Sequence, residues 1–347
     1  MRGVSQKLNL EQFDYSFQKD LIAQAPAKPR DSARLLVYNR STGEVSFDTF
    51  LNLPKYLPPQ AVLVFNETKV IPARFTVTKP TGGICALLYL SKVADQKIKV
   101  LSDKKLTVGS NLKGNGGLVL KVEDQNSGEY ILSISVKNFE GWLARHGVAP
   151  LPPYIKNSPL SRAQAKREYQ TIFAKIAGSV AAPTASLHFT NKLLKRLEGR
   201  GIRLEFVTLH VGLGTFAKVT DENLKQGKLH GEQYEISSAT AKLLTKARKE
   251  GRPIIAVGTT VVRTLESYAL RQAQGKPALH GNTDLFIRPG FDFKFVDGMI
   301  TNFHVPRSSL MMLVSALTGR QKLLELYRNA IDHRFRLFSF GDGMLVL

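Results

Sequence analysis

Between Phe75 and Val136 the chain offers almost nothing that a helix would use. Short β-branched runs such as T-V-T, I-C-A-L-L-Y-L, K-I-K-V-L, L-V-L-K-V and Y-I-L-S-I-S-V alternate with the turn clusters T-G-G, G-N-G-G and N-S-G. Strand-sized runs at that spacing must pair with one another, so the segment is expected to form a small β-barrel or sandwich. What surrounds it reads differently. Arg34–Tyr38, Val45–Phe47 and the fully apolar Ala61–Phe65 read as strands, with helical character over Phe17–Ala25. Beyond residue 150, helices expected at Arg162–Phe173, Asn191–Leu197, Ala239–Lys249, Thr260–Arg271, the 310s and Lys322–Ile331 alternate with strands at Leu204–Val211 and Ile254–Val257. Alternation of this kind indicates a mixed α/β domain. The expected layout is therefore a discontinuous main domain, residues 1–65 and 149–347, carrying an inserted all-β barrel domain, residues 66–148. The barrel's exit, G-V-A-P-L-P-P-Y, is stiffened by prolines.

Charge narrows the class of partner. Lys and Arg total 49 against 28 Asp and Glu, a net +21. A surplus of that size repels itself and is usually matched to a polyanion, nucleic acid first, with a solubility device or a generally basic proteome as the alternative. The basic residues are dispersed, so a folded surface is expected to bind rather than a tail. The single cysteine, Cys85, excludes a disulfide framework and a Cys-rich zinc site, which fits a reducing cytoplasm. No secretory signal or bilayer-length apolar run is read, and the expectation is a cytoplasmic monomer without membrane contact.

The candidate chemistry centres on three histidines between apolar neighbours: His188 in L-H-F, His210 in L-H-V and His304 in F-H-V. On strands, the apolar neighbours would face one side and each imidazole the other, where the three could converge on a cleft. Taken singly, each is as readily a hydrogen-bonded core histidine. Before His188 the chain strips itself to small residues, G-S-V-A-A-P-T-A-S, and after His210 come Gly212 and Gly214; both stretches let a ligand approach the backbone. In V-G-T-T-V-V-R, Gly258, Thr259 and Thr260 open a helix after a strand, an anion site or plain capping, with Arg263 one turn on. Asn66, Lys69 and Arg74 follow the buried strand at Phe65, where polar groups face either a crevice or solvent. Asp342, between two glycines, is a turn-former or a site residue. No His-x-His or His-Glu-x-x-His spacing is present, so no metal is expected.

These segments together resemble the S-adenosylmethionine:tRNA ribosyltransferase-isomerases of queuosine biosynthesis. The likeness runs through V-F-N-E-T-K-V-I-P-A-R, L-P-P-Y-I-K, Y-Q-T-I-F-A, G-S-V-A-A-P-T-A-S-L-H-F-T, F-V-T-L-H-V-G-L-G-T-F, V-G-T-T-V-V-R-T-L-E-S, F-I-R-P-G-F, D-G-M-I-T-N-F-H-V-P-R-S-S-L-M-M-L-V-S-A and F-S-F-G-D-G-M, in the family's order over nearly the whole chain. It implies an irregular barrel-like main sheet with helices plus the inserted barrel. It also implies transfer and isomerisation of the ribosyl part of S-adenosylmethionine onto the 7-aminomethyl-7-deazaguanine at the tRNA wobble position. Epoxyqueuosine forms, and adenine and methionine leave. S-adenosylmethionine is then a co-substrate, no prosthetic group is implied, and the partner is a tRNA anticodon arm. Carried onto this chain, His188, His210, His304 and Asp342 become catalytic candidates. Asn66, Lys69, Arg74, Ala181, Pro183, Thr184, Gly212, Gly214, His230, Glu232, Gly258, Thr259, Thr260, Arg263 and Asn302 become substrate-binding candidates. The chain departs from the family pattern at Lys228, where a histidine is usual, at Ile84–Ala86, where Lys-Val-Glu is usual, and at Ser186, where glycine is usual. A non-catalytic RNA-binding protein and a metal-dependent hydrolase are the rival readings.

Overall fold

The computed structural model describes residues 9–126, 128–212, 219–275 and 278–347. In chain order the elements are β1 (Arg34–Tyr38), β2 (Val45–Thr49), β3 (Val62–Asn66) and β4 (Thr68–Val70). Then come β5 (Arg74–Thr78), β6 (Ile84–Ala94), β7 (Lys97–Ser102), β8 (Asn111–Gly114), β9 (Val119–Asn126), β10 (Glu129–Ile134), α1 (Phe139–His146) and α2 (Arg162–Glu168). The second half holds β11 (Ile176–Ser179), α3 (Asn191–Glu198), β12 (Arg203–Leu209), α4 (Asp221–Gln226), β13 (Lys228–Ile236), α5 (Ser238–Lys249), β14 (Ile254–Val257) and α6 (Thr259–Ala273). It ends with β15 (His280–Leu285), β16 (Gly298–Asn302), α7 (Ser309–Thr318), α8 (Arg320–Asp332) and β17 (Gly343–Val346).

Strands β5 to β10 close into an antiparallel barrel, in the order β10-β7-β6-β5-β8-β9. Alternation along β5 and β10 sends every second residue inward. Helix α1 plugs this core with Phe139, Trp142 and Leu143. The other large sheet has nine strands, ordered β15-β13-β12-β3-β14-β16-β17-β1-β2. At its centre β3, β14, β16 and β17 are buried throughout, as expected of strands covered on both faces. The period of two divides them: Val62, Val64, Ile254 and Ala256 pack under α5 to α8, while Leu63, Phe65, Ile255 and Val257 pack with α3 on the other face. Among the described residues no helix is long and apolar enough to cross a membrane.

Two local expectations fail for tertiary reasons. Phe17–Ala25 is not a helix beyond a short 3-10 turn at Lys19–Leu21, because its backbone pairs with Leu337: Leu337 N donates to Leu21 O and Ala23 N to Leu337 O. Helix α2 stops at Glu168 rather than Phe173, because the Gln170 amide turns aside to bond both N and O of Val70. The apolar end of the chain becomes β17, paired with β1 and β16.

Candidate active site

Strands β12, β3, β14 and β16 lie side by side and parallel. The path leaves β3 for β12 on one side and later returns to β14 on the other, so the connections part at β3. Ligands favour the crevice beyond the carboxyl ends of strands at such a switch. A cleft of about 650 Å³ opens there. Ala181, Pro183, Thr184, Gly258, Thr259, Thr260, Asn302 and His304, all expected site residues, line it.

The small residues before His188 serve two ends. A Cβ on Gly178 would stand 2.6 Å from the His210 ring, so only glycine fits beneath it. Ala181 to Ala185 form cleft wall. Ser186, the departure from the family pattern, is fully buried and its Oγ finds no partner among the described residues. Gly258 joins β14 to α6 with φ +101, a conformation side chains resist, although a Cβ would have 3.8 Å of clearance. The turn presents Thr259 and Thr260 at the positive end of a 15-residue helix. Asn66 fixes that corner: its Nδ2 donates to Leu209 O (3.0 Å) and Thr260 Oγ1 (3.3 Å), while its Oδ1 accepts from Thr68 N and Leu209 N. Asn66 thus ties the strand ends together rather than facing a ligand.

None of the three histidines lies within a strand, so the alternating-face argument does not apply to them. His188 ends a 3-10 turn, His210 follows β12, and His304 follows β16. His304 lines the cleft, with Nε2 2.7 Å from Thr301 Oγ1. Burial holds its pKa down at about 3. His210 is half-buried behind the wall, Nδ1 2.9 Å from Thr68 Oγ1, and burial lowers its pKa as well. His188 is buried, stacked on Phe50 with 4.2 Å between centroids. Its Nε2 lies 3.3 Å from Asn302 Nδ2. That amide orientation is fixed by Phe338 O, which accepts from Nδ2, and by Thr184 Oγ1, which donates to Oδ1. Nε2 therefore faces a donor and must be unprotonated. Burial, reinforced by Arg336 and Arg30, lowers the pKa to about 3. His188 holds Asn302 in the cleft wall and is poorly placed to carry a proton.

Other expected residues lie elsewhere. Asp342 accepts from Arg34 N (3.0 Å), Arg336 N (2.8 Å) and the Arg336 guanidinium (3.1 Å), so its carboxylate anchors a loop and does not reach the cleft. Arg263 does not line the cleft. It pairs with buried Glu232 and bonds Leu285 O and Thr283 O, because a buried carboxylate needs a partner. Glu232 also accepts from Gly212 N (2.9 Å), which withdraws that amide from a ligand. Arg263, Glu232 and His230 line a second pocket of about 360 Å³ that shares Leu310 with the cleft. Lys69 is exposed on β4 and Arg74 opens the barrel at β5; neither lines the cleft. Gly214 lies outside the described residues. Sequence reasoning missed Tyr154, Thr301, Phe338 and Ser339 in the lining. For Tyr154, Phe338 and Ser339 the signal lies in L-P-P-Y and F-S-F-G-D-G, as aromatic and hydroxyl residues beside the prolines and the aspartate. Among the described residues no three His, Cys, Asp or Glu side chains gather to hold a metal.

Comparison with known proteins supplies the context. The family described as "Queuosine biosynthesis protein" matches residues 10–346. A relative from Carboxydothermus hydrogenoformans is 46% identical over 344 residues, 98% of this chain and 100% of the relative. One from Halothermothrix orenii is 43% identical over 346 residues, with 98% and 100% covered. Both are named S-adenosylmethionine:tRNA ribosyltransferase-isomerase. The crystal structure of S-adenosylmethionine tRNA ribosyltransferase from Thermotoga maritima is 32% identical, with a TM-score of 0.56, 97% of this chain covered and 100% of that chain.

Proposed function

The chain belongs to the family of queuosine biosynthesis proteins, and from that premise we propose how its cleft is used. The activity is S-adenosylmethionine:tRNA ribosyl transfer with isomerisation, and S-adenosylmethionine is a co-substrate. The observation that carries this is end-to-end identity of 46% to a relative of that name. Both relatives carry the transferase name, which leaves a non-catalytic RNA-binding protein and a metal-dependent hydrolase without support. The acceptor is the aminomethyl-deazaguanine at the wobble position of a tRNA anticodon arm. Epoxyqueuosine, adenine and methionine are the products.

The sulfonium acidifies the C5′ protons next to it, so the first requirement is a base in the cleft. His304 meets it best. Its ring is the one imidazole of the three at the cleft surface, Thr301 fixes its orientation, and burial leaves it unprotonated at neutral pH. The methionine carboxylate suits the Thr259–Thr260 start of α6, where backbone donors and the helix dipole favour an anion. His188 and Asn302 hold the wall between them, and His210 supports it from behind.

Adenine release from S-adenosylmethionine, measured with tRNA carrying the aminomethyl-deazaguanine, tests this reading. The wild-type protein is expected to release adenine, and His304→Ala to lower kcat about 100-fold or more, the usual range for losing a general base. Absence of adenine from the wild type overturns the reaction; unchanged kcat in the variant overturns the role of His304.

A further inference from the structure

The described lining of the cleft carries no Asp, Glu, Lys or Arg, so a charged polymer brought to it must be held outside it. The segment that packs against one wall is charged with a single sign. Residues 141–167 contain Arg145, Lys156, Arg162, Lys166 and Arg167 and no Asp or Glu. All five cations are exposed. The acid that follows, Glu168, is already neutralised by Arg30 at 3.1 Å and Arg167 at 3.2 Å. Among the described residues the side chains of Lys156 and Arg162 have no hydrogen-bond or ion-pair partner.

What the segment buries fixes where these cations stand. Ile155 and Tyr169 share one buried cluster with Ala182 of the cleft wall, and Leu151, Tyr154 and Leu160 pack on it. Tyr154 itself lines the cleft. Gln24 clamps the chain on both sides of Lys156, its Nε2 toward Tyr154 O and its Oε1 accepting from Asn157 N at 3.0 Å. On α2 the helical period turns Ala165 inward and leaves Arg162 and Lys166 on the outer face. Lys166 Nζ then reaches Ala144 O of α1, the helix that plugs the barrel, at 3.3 Å. The cations therefore form a row from the cleft wall to the barrel.

An enzyme that works on one base of a nucleic acid takes that base into its pocket and leaves the sugar-phosphate backbone outside. Exposed cations without partners give up no ion pair when a phosphate arrives, and each one that pairs releases counterions from the nucleic acid. We propose that Lys156, Arg162 and Lys166, with Arg145 and Arg167 beside them, dock the sugar-phosphate backbone of the anticodon arm while the wobble base enters the cleft. The inference rests on the tRNA acceptor named under Proposed function.

The test is filter binding of tRNA carrying the aminomethyl-deazaguanine, without S-adenosylmethionine, so that binding is read apart from turnover. One variant combines Lys156→Gln, Arg162→Gln and Lys166→Gln. The control combines Lys195→Gln, Arg200→Gln and Lys249→Gln, which removes the same charge from the residues leading into β12 and β14, at the ends of those strands opposite the cleft. In the first variant the slope of log affinity against log salt is expected to be shallower by about 2, three contacts at about 0.7 each, and in the control nearly unchanged. A slope unchanged in the first variant, or altered equally in both, overturns the surface. Urea unfolding checks that both variants fold. If the first unfolds early, Lys156→Gln with Arg162→Gln, which lose no partner, takes its place with an expected change of about 1.4. Adenine release is measured separately. A wild type that binds tRNA but releases no adenine overturns the reaction and leaves the surface standing; a wild type that binds no tRNA overturns the surface.

Discussion

His188 lies flat on Phe50 with its Nε2 turned toward the amide of Asn302, and the consequence is a pH dependence of stability. In the folded protein the ring takes up a proton only near pH 3, against an ordinary value of 6.5. Between those values the unfolded chain holds the extra proton, so stability falls as pH drops through 6.5 toward 3. Above 6.5 this group has no effect. The loss amounts to ~1.4 kcal/mol per pH unit for one proton. In His188→Gln, whose carbonyl can still accept from Asn302, the slope of unfolding free energy between pH 6 and 4 should be shallower by about that amount. Urea unfolding across the range checks this, and an unchanged slope would contradict the buried neutral ring. At this scale the sequence marked the histidines but not what surrounds each of them. The apolar neighbours of His188, His210 and His304 predict burial. Which imidazole meets a donor, a hydroxyl or the cleft depends on side chains more than a hundred positions away, such as Asn302 for His188 and Thr68 for His210.

Among the elements, the β14–α6 junction places three candidate site residues, Gly258, Thr259 and Thr260, at one corner of the cleft. Its φ of +101 at Gly258 is imposed on a position with free space for a methyl group, so alanine would strain the turn without a clash. Gly258→Ala is expected to cost ~1–2 kcal/mol in urea unfolding and to raise KM for S-adenosylmethionine, as the Thr259 and Thr260 donors tilt. An unchanged KM with lowered stability would remove this corner from ligand binding. The run I-I-A-V-G-T-T announced the junction because each signal is local: an apolar strand, then glycine, then a helix start. Strand β13 was not legible. Its sequence, K-L-H-G-E-Q-Y-E-I, carries charges and a glycine, and it is a strand because β12 and β15 flank it.

For the molecule as a whole, net charge decides how substrate is met. With +21 spread over the fold, docking of tRNA should be dominated by phosphate contacts. The logarithm of the affinity is expected to fall with the logarithm of salt concentration at a slope of about −4, as six contacts at about −0.7 each would give. Filter binding from low to physiological salt measures it, and a flat profile would refute electrostatic docking. If S-adenosylmethionine binds in the cleft, whose described lining carries no Asp, Glu, Lys or Arg, its affinity should show a far weaker salt dependence.

Composition, turn spacing and apolar periodicity alone indicated that an all-β segment, barrel or sandwich, interrupts an α/β chain, and the charge surplus pointed to a polyanion as partner. These properties are local or additive, so the order of residues carries them without reference to distant positions. The tertiary structure decided the contents of the cleft. It separated Arg263 and Asp342 from it, turned His188 toward Asn302, and brought Tyr154 from before α2 against Ser339 from before β17. The physical reason is that a buried polar group must find a partner, and the partner that satisfies it is chosen by packing across the whole chain.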